Sequence, residues 1–165
     1  MKKLKIYLDT SVVLMRDDSA RGIITKEFFK NVSQNNHNLV ISEIVDYEIT
    51  NTKDELQKES NKYFMSTIEY SLLPYSKESH DLAWKYVING VLTHNHIGDL
   101  LHVAYATVNE CDMIVSWNRK HIAKHSKIQK LNLCNIKYDY RSITICTPEE
   151  FLTIKYGDKN ERANH

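Results

Sequence analysis

Apolar residues fall along the chain in two alternating kinds of run, short continuous ones and longer ones with helical spacing. Leu4 to Asp9 (LKIYLD), Asn38 to Ser42 (NLVIS), Met113 to Trp117 (MIVSW) and Ser142 to Cys146 (SITIC) are predicted strands. The third shows no regular alternation, as a strand covered on both faces should not. Helical spacing predicts helices from Ala20 to about Asn36, with Ile23, Ile24, Phe28 and Val32 on one side, from Ser42 to about Thr50, from Lys53 to Tyr70, and from Lys77 to about Thr93. A short apolar SLLPY separates the last two, and Gly98 to Cys111 is a further helix, apolar nearly all round. After the last strand comes TPEE, in which Thr147 can cap a helix, Pro148 suits its first position and Glu150 closes a capping box. Uniformly apolar strands alternating with helices indicate an α/β fold of three layers, α/β/α, built on a parallel sheet.

Composition narrows the setting of this fold. With 165 residues, four Gly and two Pro, the chain suits one domain, here 1–156, followed by a polar tail, 157–165 (GDKNERANH). The 22 Lys and Arg nearly balance the 21 Asp and Glu, so no global field drives the protein onto nucleic acid or membrane, and any such contact needs a local patch. No apolar run approaches the roughly 20 residues of a membrane span, and MKKLKIYLDT enters a strand pattern in place of a signal-peptide core, which gives the expectation of a cytoplasmic protein. Cys111, Cys134 and Cys146 are odd in number and widely spaced, and read as buried thiols.

In parallel sheets ligands bind beyond the carboxyl ends of the strands, so the residues where strands stop carry the functional question. Asp9 ends the first strand and is followed by Thr10 and Ser11. On a helix through SEIVDYEIT, at about 100° per residue, Ile44, Val45 and Ile49 share an arc of roughly 140° that also contains Glu48. Glu43 and Asp46 fall outside it and read as solvated, whereas Glu48 calls for a cation partner, from a metal or from a Lys or Arg, unless it snorkels to solvent at the edge of the face. Asp99 lies in the first turn of the most apolar helix, where the macrodipole favours an anion. Helix capping competes as a reading of Asp9 and Asp99. Taken together, three carboxylates at one sheet edge suit Mg²⁺ or Mn²⁺, hard cations that take oxygen ligands and serve phosphates.

These residues sit in four segments that resemble the four motifs of the PIN-domain nucleases, most closely the VapC-like toxins of type II toxin-antitoxin systems. The segments are YLDTSV from Tyr7, ISEIVDYEI from Ile41, GDLLHVAYA from Gly98 and IVSWNRKHI from Ile114, and the resemblance covers about residues 4–152. It implies a five-stranded parallel sheet between helices, metal-dependent cleavage of RNA to 5′-phosphate and 3′-hydroxyl products, a separately encoded antitoxin that blocks the site, and a homodimer. Asp9, Glu48 and Asp99 match the three catalytic acids, and Asn118 matches the position where many members carry a fourth.

Asn118 departs from that pattern, since it has no charge to offer. Asp112 cannot replace it, because six residues of strand put it roughly 20 Å away. An asparagine oxygen can still ligate weakly or accept from a metal-bound water, so the expected metal set is Asp9, Glu48, Asp99 and Asn118. The competing reading makes Asn118 the cap of a helix beginning at Arg119. From Arg119 to Lys130 the chain holds five Lys or Arg, two His and no acid, a patch suited to phosphates. Arg119 and Lys120 are the candidate RNA contacts, with Ser11 as a group that orients a phosphate oxygen. His121 and His125 have the i, i+4 spacing of a zinc pair, with no third ligand nearby in sequence. Against the nuclease stands a catalytically weak or inactive PIN-like module that binds RNA or docks a protein. A phosphatase-like or receiver-like domain lacks its D-x-D or matching lysine.

Overall fold

The computed structural model describes residues 2–154. The predicted tail, 157–165, lies outside them. Five strands, β1 (Lys5–Leu8), β2 (Asn38–Ser42), β3 (Tyr70–Leu73), β4 (Met113–Val115) and β5 (Thr144–Cys146), form one sheet in the order β3-β2-β1-β4-β5. Every pairing is parallel, with Tyr7 opposite Val40 on one side and Ile114 on the other. The chain builds outward from β1 to β3, then crosses back to add β4 and β5 on the other side, so the topological switch lies between β1 and β4. Side chains at the carboxyl ends of these two strands flank the crevice where such sheets bind ligands.

The helices are α1 (Thr10–Leu14), α2 (Gly22–Gln34), α3 (Glu43–Thr50), α4 (Glu55–Thr67), α5 (Lys77–Ile88), α6 (Ile97–Val108) and α7 (His125–Lys137), and residues 148–154 are also helical. Short 3-10 turns cover Met15–Asp17 and His94–His96. Helix α2 starts two residues later than predicted because the Asp18 carboxylate accepts from the backbone N–H groups of Ala20 and Arg21 and holds them in a turn. Gly22 is required there, since a Cβ would lie 2.6 Å from the Arg16 carbonyl oxygen. Thr147 caps the last helix through Glu150 N–H at 3.1 Å, as the TPEE pattern predicts.

The core runs along both faces of the sheet. Ile6, Tyr7, Leu8, Ile114 and Val115 are fully buried, and α6 buries every residue from Leu100 to Thr107. An all-round apolar helix is therefore an interior helix, and a polar side chain on it must find a partner. Ser71 to Leu73 of the SLLPY segment form β3 together with Tyr70, an edge strand with mostly exposed residues, so the helix predicted to run to Tyr70 ends at Thr67. Two expectations fail near the fourth motif. Strand β4 ends at Val115, not Trp117, and no helix begins at Arg119, where the chain makes a turn closed by Ile122 N–H and Ala123 N–H on the Asn118 carbonyl. The helix comes later as α7, which the periodicity does not predict.

Candidate active site

Asp9 follows β1 as the N-cap of α1, and its carboxylate accepts from Ser11 N–H. The capping expected as the competing role of Asp9 is present. Its Oδ2 also receives the hydroxyls of Ser11 and, at 2.8 Å, Ser116, so a carboxylate only 4% exposed is held by three donors. Its other oxygen, Oδ1, lies 3.4 Å from His102 Nε2. Ser11 accepts in turn from Trp117 N–H at 2.9 Å. The Ser11 hydroxyl proton is donated to Asp9 and braces that carboxylate.

Ser42, the last residue of β2, caps α3 through Ile44 N–H and so sets the direction in which Glu48 projects. Val45 and Ile49 are buried as the arc predicts, but Glu48 lies at its rim with a side chain 39% exposed. Its partner is neither Lys nor Arg. His102 Nε2 stands 2.9 Å from Glu48 Oε1, so one imidazole nitrogen meets both Glu48 and Asp9. The opposite nitrogen, Nδ1, is 2.8 Å from the Tyr7 hydroxyl, which is 2.6 Å from Ser42 Oγ. A buried chain from Ser42 through Tyr7 and His102 therefore ends on two of the acids. Burial works against a charge on His102, but Asp9 and Glu48 outweigh it and hold the imidazole pKa above its ordinary value. Glu43, expected to be solvated, instead accepts from the Tyr105 hydroxyl at 2.6 Å.

Asp99 enters from the first turn of α6, whose N-cap, His96, makes no side-chain capping bond. Its Oδ1 accepts from Asn118 Nδ2 at 3.2 Å and its Oδ2 lies 2.9 Å from His121 Nδ1. The orientation of Asn118 follows from chemistry. His121 N–H, which can only donate, lies 3.0 Å from the amide oxygen, so the NH₂ end is the one that faces Asp99. The expected neutral metal ligand thus has its oxygen engaged by one backbone donor, with one lone pair left. Asn118 N–H also donates to Ser116 Oγ at 3.0 Å, which ties this half of the site to Asp9.

Asp112 sits at the far edge of the sheet, where it accepts from Lys5 N–H at the start of β1. Arg119 pairs with Glu149 at 3.1 Å and its guanidinium lies 5.8 Å from the Trp117 ring centre, while Lys120 is exposed. Lys127 of the basic run donates to the Val91 carbonyl, which removes it from the candidate phosphate contacts. Sequence reasoning missed His102, Ser116 and His96. His102 had a signal, as the one histidine on a helix that is mostly apolar after Asp99.

No protein-family model and no curated protein matches the sequence. Among solved structures, VapBC2 from Rickettsia felis, crystallised with a DNA fragment from its promoter, superposes with a TM-score of 0.59 at 13% identity, over 87% of this chain and 98% of that one. A toxin-antitoxin complex from Klebsiella pneumoniae gives 0.54 at 16% identity, over 74% and 93%. The fold is PIN-like. On this PIN-like sheet, Asp9, Glu48 and Asp99 come from three separate elements, following β1, β2 and the start of α6, with His102 between the first two. Among the described residues no helix is long and apolar enough to cross a membrane.

Proposed function

We propose that the protein is a divalent-metal-dependent endoribonuclease and the toxin of a toxin-antitoxin pair. The observation that carries this reading is that His102 Nε2 lies 2.9 Å from Glu48 and 3.4 Å from Asp9, while Asp99 is linked to Asp9 through the hydrogen bonds of Asn118 and Ser116. The donor set fits Mg²⁺ or Mn²⁺, because all three groups offer hard carboxylate oxygens and one of them, on Asp9, is nearly buried. When bound, the cation lowers the pKa of a water and aligns it for in-line attack on a phosphodiester.

The chain's own residues prepare that chemistry. Ser11 and Ser116 fix Asp9, the Ser42–Tyr7–His102 chain orients Glu48, and Asn118 holds Asp99 through its amide NH₂. His102 Nε2, placed between the two carboxylates, holds Asp9 and Glu48 to one imidazole. Arg119 and Lys120, on the turn beyond β4, offset charge on RNA phosphates. A cognate antitoxin, a homodimer and a cytoplasmic setting belong to the same reading, which the two toxin-antitoxin neighbours support at the level of fold.

The second reading, a PIN-like module that binds RNA or docks a protein with little or no turnover, is favoured by Asn118, whose amide faces Asp99 where a carboxylate would add charge. Incubating the protein with single-stranded RNA and Mn²⁺ or Mg²⁺, with and without chelator, separates the two. The nuclease reading expects cleavage that chelator abolishes. RNA binding without metal-dependent cleavage favours the module instead.

A further inference from the structure

We propose that His96, Asp99 and His121 form a binding site for a borderline divalent transition metal of the Zn²⁺ and Co²⁺ type. The three residues come from different places: His96 from the turn before α6, Asp99 from the first turn of α6, and His121 from the turn after β4. Both imidazoles aim Nδ1 at the same carboxylate oxygen, Asp99 Oδ2, at 3.9 Å from His96 and 2.9 Å from His121. One ligand atom from each residue lies within 4.8 Å of the others. A proton can be shared by two such atoms, whereas three converging lone-pair donors match what a metal ion needs.

The dimensions agree. Metal–nitrogen and metal–oxygen bonds of about 2.0–2.1 Å in a tetrahedron separate neighbouring ligand atoms by roughly 3.3 Å, and the two observed separations bracket that value. The side chains of His96, Asp99 and His121 are 36%, 28% and 21% exposed, which leaves an open side for water as a fourth ligand. Support around the ligands is already built. Asn118 donates to the second oxygen of Asp99 and accepts from His121 N–H, so a single amide orients two of the three ligands, as outer partners of metal sites do. Imidazole nitrogens shift preference away from Mg²⁺ and toward Zn²⁺, Co²⁺ and Ni²⁺.

His121 thus has the third partner that its sequence spacing with His125 did not supply. His125 itself begins α7, where its ring meets Gln129. The inference rests on the nuclease reading only in sharing Asp99, and it deepens the role of that corner.

Co²⁺ reports on such a site through its visible absorption. The test titrates Co²⁺ into the full-length wild-type protein and into His96→Gln, His121→Gln and His125→Gln, following absorbance and calorimetric heat, with a thermal melt of each metal-free variant to show that it folds. The expected result is one Co²⁺ bound with visible bands by wild type and by His125→Gln, with affinity at least about tenfold weaker in each of the other two variants. Wild-type affinity and spectrum in both His96→Gln and His121→Gln, or an equal loss in His125→Gln, would overturn the proposal. Mg²⁺-dependent RNA cleavage measured on the same wild-type preparation keeps the two readings apart. Histidine-dependent Co²⁺ binding without cleavage contradicts the nuclease alone, and cleavage with histidine-independent Co²⁺ binding contradicts this site alone.

Discussion

Replacing Tyr7 by Phe removes one oxygen atom from the middle of the chain that leads from Ser42 to the acids. The ring is fully buried and its edge contact with His102, at 5.9 Å between centroids, survives the change. What disappears is the hydroxyl between Ser42 Oγ at 2.6 Å and His102 Nδ1 at 2.8 Å. Burial pushes the phenol pKa well above its ordinary value, so the group is a neutral hydroxyl at any working pH and no charge is deleted. Ser42 keeps Ile44 N–H as a partner, but His102 Nδ1 is left buried and unpaired. Leaving a buried polar atom without its partner costs about 1–3 kcal/mol, more than the net worth of an ordinary hydrogen bond, which gives a destabilisation of about 2 kcal/mol. For a domain of this size the melting temperature should fall by about 4–8 °C. Urea unfolding of wild type and Tyr7→Phe, followed by circular dichroism, measures the difference directly. A destabilisation below about 0.5 kcal/mol, typical of a surface position, would refute the claim that this hydroxyl anchors His102.

Other changes follow from the same geometry. Asn118→Asp converts the amide that donates to Asp99 into a second carboxylate; in chelator its melting temperature should be lower than wild type by the equivalent of about 1–2 kcal/mol, and Mn²⁺ should raise it by more than it raises wild type, whereas equal metal-induced shifts would remove Asn118 from the metal site. Lys120→Gln with Lys124→Gln, both exposed, should weaken RNA binding and reduce its salt slope by about one for each phosphate no longer neutralised; an unchanged slope would make the basic run a solvated face. Cys111 and Cys146 are buried with thiols pushed up to about 12 by burial, and Cys134 is buried too, so an alkylating reagent read by mass spectrometry should label three cysteines in denaturant and none in the native protein.

The sheet was legible because its strands are short apolar runs, and β2 occupies the predicted Asn38 to Ser42. Asp9 was legible for the same reason, since a strand that stops at a polar residue marks the sheet edge, whereas Glu48 and Asp99 were singled out by their places on predicted helices, the apolar arc of α3 and the first turn of α6. Helix α7 was hidden because its buried residues are Leu131, Cys134 and Asn135, only one of them strongly apolar, and Asn135 is buried by virtue of its bond to the Tyr86 hydroxyl. The partner of Glu48 was hidden because His102 comes from a helix 54 positions away, a contact that spacing does not report. The pairing of His121 with His125 failed for a physical reason as well. The i, i+4 rule holds only on a helix, and the chain from Arg119 to Ala123 is a turn that sends His121 toward Asp99 and His96.

The most direct test of the central claim is cleavage of single-stranded RNA by wild type and by Glu48→Gln, measured side by side in Mn²⁺. Glu48 is partly exposed and its replacement keeps a group that can bond to His102, so the variant should melt close to wild type. If Asp9, Glu48 and Asp99 hold the catalytic cation, wild type cleaves, chelator stops it, and Glu48→Gln loses the activity at least about a hundredfold while remaining folded. Cleavage by Glu48→Gln at the wild-type rate, or cleavage that persists in chelator, would contradict the account.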